Sequence, residues 1–331
     1  MKRAGLITLI LLVVLSGFLT AEGRRENSAV RDSAEAYPVK PVKLIVPYGA
    51  GGGTDTTSRM IAQKLEKIIG QPVAIVNMGG AGGGLGMKEV LNAQPDGYTM
   101  GVDIINIWTR KALKTVDFGP EAFELVAQCG SYYLVEAARI GSPYNTLKEL
   151  YEAAKKAPDT IQEATNIGAI THFTSLALMD SMDAKLRLVH IGDGAQRITS
   201  VLGGHVEITI MGTHEVRPYY DSKEMKVLAV ASPQRVQGLE NAPTAREQGI
   251  DVVQSVDYWF FMPKGTAKAK VDFMANALEK VMKDPEIVKK MESVSMSASF
   301  LKGDALANHV NAEGKKILAI AEKHNLAQGK K

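Results

Sequence analysis

From Tyr37 almost to the end of the chain, short apolar runs alternate with stretches whose apolar residues recur at helical spacing. The run at 42–48 predicts a strand. Ile61, Leu65, Ile68 and Ile69 share one face of the next segment, which predicts a helix over 54–69, capped by Thr54 or Asp55 and ended by Gly70 and Pro72. Strands predicted at 73–77 and 98–104 flank a helix that runs through Val90 and Leu91. The rhythm resumes with a helix at 147–157, a strand near 160–165, a helix at 169–182, a strand at 185–191 and a helix at 195–202. Strands follow at 206–211, 225–231 and 257–262, and helices fill most of 266–324. Such alternation predicts an α/β fold in which helices cover both faces of parallel sheets. Ligands of such sheets sit at the carboxyl ends of the strands.

The first 36 residues break this pattern. Lys2 and Arg3 precede an apolar run at 6–15, and small residues follow at Ser16, Gly17 and Ala21. This is the layout of an export signal over 1–21. The alternative is an uncleaved membrane anchor, although the stretch at 4–21 barely reaches the length a bilayer requires. Residues 22–36 are polar, charged and without periodicity, as a flexible spacer would be.

Composition narrows the function classes. With 331 residues, 45% of them hydrophobic, the chain can build one large or two medium cores. The net charge is +3, but five Lys/Arg against three Asp/Glu lie before residue 34, leaving 34 basic against 33 acidic residues. No basic field suited to nucleic acid remains. Cys129 is the one cysteine and has no partner within the chain; it is either a reactive thiol or a small buried apolar residue.

Two glycine clusters stand where a strand gives way to a helix. In the first, Pro47-Tyr48-Gly49-Ala50-Gly51-Gly52-Gly53-Thr54-Asp55, glycine lets the backbone approach a ligand closely, and the N–H groups opening the next helix form a ready anion site. The competing reading is a plain tight turn. The second, at 79–86, would be carried to the same rim by a neighbouring parallel strand. Neither is a nucleotide fingerprint: no lysine follows as a P-loop requires, and G-x-G-x-x-G fails at Thr54 when started at Gly49 and at Leu85 when started at Gly80. His172, His190, His205, His214, His309 and His324 show no H-E-x-x-H spacing, and no G-x-S-x-G elbow marks a nucleophile. No metal or cofactor is expected. Trp259-Phe260-Phe261 reads as core strand rather than as a ligand stack.

Several short motifs then fall in a telling order. Residues 47–55 resemble V-P-[FY]-x-x-G-G-x-T-D. Asn77, with Gly80-Ala81-Gly82-Gly83 and Gly86, resembles N-x-x-G-A-G-G-x-x-G, and Pro95-Asp96-Gly97-Tyr98-Thr99 matches P-D-G-Y-T. Residues 202–207 are similar to L-G-G-x-V-[DE], and Ala242-Pro243-Thr244 with Glu247 and Gly249 resembles V-P-T-x-x-E-x-G. Together they resemble the tripartite tricarboxylate transporter receptors, also called Bug or TctC-like extracytoplasmic solute-binding proteins, over 37–330. The resemblance implies a periplasmic-binding-protein fold of two α/β lobes with mixed, mostly parallel sheets, joined by crossing strands. Lobe I would comprise 37–135 and 260–331, and lobe II 136–259. It implies a periplasmic, monomeric receptor rather than an enzyme. Such a receptor captures a small organic acid or amino-acid-like ligand in the inter-lobe cleft and serves the membrane permease subunits of a tripartite transporter. The ligand carboxylate would meet two opposed loops, one with Tyr48, Gly49, Gly51, Gly52, Gly53 and Thr54, the other with Thr165, Asn166, Gly168, Thr171 and His172. Ile191 and Asp193 would form a third contact region, and Asn106 a further contact.

The chain departs from the family pattern around that cleft. The opposed loop usually reads G-S-x-x-H; here it is Gly168-Ala169-Ile170-Thr171-His172, without the serine hydroxyl. The third loop commonly reads V-P-Y-K-G; in Val189-His190-Ile191-Gly192-Asp193 the lysine is gone and an aspartate has appeared. Asp193 either favours a ligand carrying an amine or points to solvent. Trp108 stands where a small or proline-containing stretch is usual, and Phe18 where lipid attachment needs a cysteine. Two other classes stay open at this level. An enzyme on the same fold would need a base beside a nucleophile in the cleft. A ligand-sensing subunit of a membrane signalling system would use the same site.

Overall fold

The computed structural model describes residues 37–327; the export signal and spacer expected over 1–36 lie outside the described residues. The apolar run β1 (Val42–Val46) lies between two parallel neighbours, β2 (Val73–Asn77) and β3 (Thr99–Asp103). Helices α1 (Gly53–Ile69) and α2 (Gly84–Asn92) make the crossovers, α1 burying Ile61 and Leu65 as its periodicity predicts. Its start differs from expectation. The cap residue is Gly52, with no side-chain cap, and Asp55 lies in the first turn with its carboxylate turned back onto the preceding loop.

After β3 come α3 (Asn106–Ala112) and the longest strand, β4 (Phe123–Arg139). A second series follows: α4 (Leu147–Lys156), β5 (Gln162–Thr165), α5 (Ile170–Met182), β6 (Arg187–His190), α6 (Gly194–Leu202), β7 (Ile208–Gly212), α7 (Thr213–Asp221) and β8 (Met225–Val230). The chain ends with β9 (Ser255–Pro263), α8 (Lys268–Met282), α9 (Pro285–Ser293), β10 (Ser297–Leu301) and α10 (Gly303–Lys323).

The strands run in the order β2-β1-β3-β9-β4-β7-β5-β6, with β8 and β10 also paired to β4. Two parallel triplets, β2-β1-β3 and β7-β5-β6, therefore sit at opposite ends, and every ladder made by β4 or β9 is antiparallel. β4 serves both halves. Phe123 to Tyr133 pair with β9, and Gln128 to Ser131 also with β10; from Leu134 onward the partners are β7 and β8. Because side chains alternate along a strand, Tyr132 and Leu134 face one side of this crossing, and Ser131 and Tyr133 the other.

Sequence periodicity missed α3, α7, β10 and β4, for local reasons. β4 buries Gln128, Ser131 and Glu136, which blur its apolar pattern. α7 carries Pro218, and β10 is a weakly apolar pentapeptide that becomes a strand only through its pairing with β4. Trp259, Phe260 and Phe261 are fully buried in the core, as is Cys129, whose thiol is pushed up by burial. Trp108 does not face the cleft. Its indole lies against Gly314 of α10, where no side chain beyond hydrogen fits, and Lys111 Nζ stands 5.3 Å from the ring centre.

Candidate functional site

The first glycine loop is held from behind. Asp103, fully buried at the end of β3, accepts hydrogen bonds from the Tyr48 hydroxyl (2.8 Å) and the Ile104 N–H (2.8 Å), and pairs with Arg110 of α3. Burial, followed by the nearby Asp103 carboxyl, raises the Tyr48 phenol, so it stays a donor. Asp55 accepts from the Gly51 N–H (2.8 Å), Arg59 Nε (3.0 Å) and Asn77 Nδ2 (2.9 Å), and Asn77 Nδ2 also reaches the Tyr48 carbonyl (3.1 Å). These bonds leave the first N–H groups of α1, at Gly53 and Thr54, without intrahelical acceptors and facing a cavity of about 160 Å³.

The second glycine cluster reaches the same rim but does not line that cavity. Its glycines make room: a side chain at Gly83 would meet Arg110 Nη1 at 3.0 Å and the Pro47 carbonyl at 3.2 Å, and one at Gly86 would meet the Met78 carbonyl at 2.7 Å. Arg110 Nη1 in turn donates to the Gly82 carbonyl (2.7 Å). The cluster seats the arginine that holds Asp103, and through it Tyr48.

The opposite wall is the loop before α5 and that helix's first turn. Asn166 N–H donates to Thr171 Oγ1 (3.2 Å), and Ala169 N–H to the Asn166 carbonyl (2.9 Å). Gly168 sits at φ +92° beside Leu113, a conformation only glycine takes readily. Its N–H donates to His172 Nδ1 (3.3 Å), and burial lowers that imidazole to about 4, so His172 is a neutral acceptor that braces the loop. Ile170 N–H donates across the cleft to Asn106 Oδ1 (2.9 Å).

α6 brings the third helix start. Asp193 caps it, with Oδ1 accepting from Gln196 N–H (2.8 Å); its carboxylate serves the helix, and the flanking Gly192 and Gly194 line the cavity instead. Ile191 N–H is spent on the Thr165 carbonyl (2.9 Å). Of the residues expected from sequence, Gly53, Thr54, Asn106, Asn166 and Thr171 line the cavity together. Tyr48, Gly49, Gly51, Gly52, Thr165, Gly168, His172, Ile191 and Asp193 lie outside its lining.

Sequence reasoning missed four titratable groups in the wall: Tyr132, Arg197, His214 and Glu215. Arg197 is 5% exposed; Nη1 donates to the Gly192 carbonyl (3.2 Å), Nη2 stands 3.8 Å from Glu215 Oε2, and Nε has no partner among the described residues. An arginine beside Ile198 and Val201 on the buried face of a short helix was the available signal. His214 packs edge-on to Tyr132 (4.4 Å), its Nε2 is 3.0 Å from where a Gly53 side chain would begin, and burial lowers it, keeping it neutral. Among the described residues no group of three or more His, Cys, Asp or Glu side chains is placed to hold a metal.

Three helix starts and a buried guanidinium around one polar cavity form an anion-binding arrangement. A family model described as tripartite tricarboxylate transporter family receptor matches residues 57–326. The chain belongs to this family. The receptor is 30% identical over 269 residues to the protein of the TAR-I ttuE-ttuC' intergenic region of Agrobacterium vitis, covering 80% of this chain and 78% of that one. It is similar to the periplasmic binding protein BugD, with a TM-score of 0.77 and 29% identity over 88% of this chain and 99% of BugD. It shares its fold with MatC from Rhodopseudomonas palustris, solved with bound malate, at a TM-score of 0.76 and 24% identity over 86% of this chain and all of that one, 100%. The family and these neighbours are two-lobed periplasmic solute-binding proteins, and among the described residues no helix is long and apolar enough to cross a membrane.

Proposed function

We propose that this chain is an exported, monomeric receptor that captures a small carboxylate-bearing solute between its lobes and passes it to the membrane permease of a tripartite tricarboxylate-type transporter, without catalysing a reaction. One observation carries the reading: the starts of α1, α5 and α6 meet around a cavity whose wall holds the buried, incompletely paired Arg197. Lobe I is taken as 37–135 with the C-terminal segment, and lobe II as the segment between. The change of β4 partners at Tyr133 and Leu134 supports the first boundary, and the β9 ladder supports a second boundary nearer Ser255 than residue 260.

Magnitudes favour several anchors over one. Micromolar capture requires about −8 kcal/mol, whereas one helix start contributes about 0.3–1 kcal/mol when exposed and up to about 2 when partly buried. Three starts, joined by charge-assisted bonds to Arg197 in a cleft that expels water on closing, bring that figure within reach. Solute touching both lobes shifts the population toward closure, and the closed shape is what a permease would recognise. MatC holds malate on the same scaffold; the ligand of this chain rests on its own residues.

Calorimetry of the exported chain against a panel of small mono- and dicarboxylates tests the reading. Arg197→Met is expected to weaken the best binder about 10-fold or more, with the melting temperature of the unliganded protein little changed. Unchanged affinity in Arg197→Met removes the site, and no binding by any acid removes the function.

A further inference from the structure

We infer that the captured solute carries a protonated amine beside its carboxylate, and that Glu215 is the residue that reads it. The inference rests on the capture reading above and names its solute class. Asp193, the acid that the sequence offers for this role, caps α6 and lies outside the cavity lining. Glu215 replaces it from another element. It lies in the first turn of α7, lines the cavity, and has 28% of its side chain exposed. One carboxylate oxygen, Oε2, accepts from the Gly212 N–H (2.7 Å) and stands 3.8 Å from Arg197 Nη2. The other, Oε1, lies against the start of α6 at Gly194 and accepts no hydrogen bond among the described residues.

The lining therefore holds two charges of opposite sign, the buried Arg197 guanidinium and the partly exposed Glu215 carboxylate. No other lining side chain carries a charge, since His214 is neutral. A solute with only carboxylates would bring negative charge against Glu215, whereas an amino-carboxylate sets an opposite charge against each of the two side chains. A hydroxyl would also donate to Glu215, but an ammonium makes the stronger, charge-assisted bond.

Matched pairs that differ only in the amine test this: propionate with alanine, succinate with aspartate, and glutarate with glutamate, with malate as the hydroxyl counterpart of aspartate. Calorimetry on the exported chain is expected to show at least one amino acid binding about 10-fold or more tighter than its deamino partner, with malate between succinate and aspartate if that pair binds. In Glu215→Gln, which keeps an acceptor for Gly212, the amine advantage is expected to shrink to about 2-fold or less while the unliganded melting temperature holds. Equal or reversed affinities within the pairs, malate binding above aspartate, or an amine advantage that persists in Glu215→Gln would overturn the inference while leaving carboxylate capture intact. No binding by any member overturns both.

Discussion

Asn106 at the start of α3 and Ile170 at the start of α5 are joined across the cleft by a 2.9 Å hydrogen bond from the Ile170 N–H to Asn106 Oδ1. That donor is one of the orphan N–H groups of a helix start, the kind a carboxylate would use. Asn106 Nδ2 lies 3.5 Å from the Tyr48 hydroxyl, which is fixed by Asp103 and Arg110. A neutral amide thus occupies a seat for an anion and ties the two walls together.

Removing that tie should let the two walls move apart. Asn106→Ala deletes a bond of about 0.5–1.5 kcal/mol, and the ligand-free protein is expected to show a larger radius of gyration in small-angle X-ray scattering. An unchanged radius would mean that the walls are held elsewhere.

At Gly53 the start of α1 comes close to α7. A side chain there would begin 3.0 Å from His214 Nε2, while one at Gly52 meets nothing nearer than the Gly49 carbonyl at 3.5 Å. Gly53→Val is expected to abolish solute binding by propping the walls apart, with the circular dichroism spectrum retained, and Gly52→Ala to bind normally. Equal binding by both variants would place the contact away from the start of α1.

A pH effect follows from two buried carboxyl groups, Glu136 on β4 and Glu163 on β5. Ser175 donates to Glu163, but Glu163 Oε2, both oxygens of Glu136 and the Tyr151 hydroxyl lack partners among the described residues. Burial raises Glu163 to about 8, and burial with the charge of Glu163 raises Glu136 well above its usual range. The folded state therefore keeps protons that the unfolded chain releases above about pH 4.3. Their stabilising effect is full below that value and is lost as pH rises through about 8. Glu163→Gln is expected to flatten the fall in urea-unfolding stability between about pH 5 and about pH 8; a slope equal to that of the wild type would refute this assignment.

His309 of α10 contributes in the same direction by another route. Its Nε2 is 2.8 Å from Asp257 of β9, and that hydrogen bond raises the imidazole. The stabilisation is present below about pH 6.5, the unfolded value, and disappears as pH rises through the higher folded one. An NMR titration is expected to place His309 above an unfolded histidine, and Asp257→Asn to return it toward that reference.

Much of the scaffold was legible along the chain because its signals are local. β2 coincides with the run predicted at 73–77, and α1 with the face set by Ile61 and Leu65, since strand and helix periods are written within a few residues. The first glycine loop was legible as a strand-to-helix junction and the loop before α5 through the family resemblance, and Gly53, Thr54, Asn166 and Thr171 line one cavity. Asp193 was ambiguous along the chain because an acid next to a helix start serves equally well as a cap.

By itself, the sequence determined the alternation of elements and the places where helix starts lie bare. Those properties depend on neighbours in the chain. Tertiary structure alone decided that β4 runs through both halves, that Trp108 faces Gly314, and that Arg197, His214 and Glu215 share a wall with Gly53. These outcomes follow from pairings between strands far apart in sequence, and no local pattern encodes which distant backbone will satisfy a given strand edge.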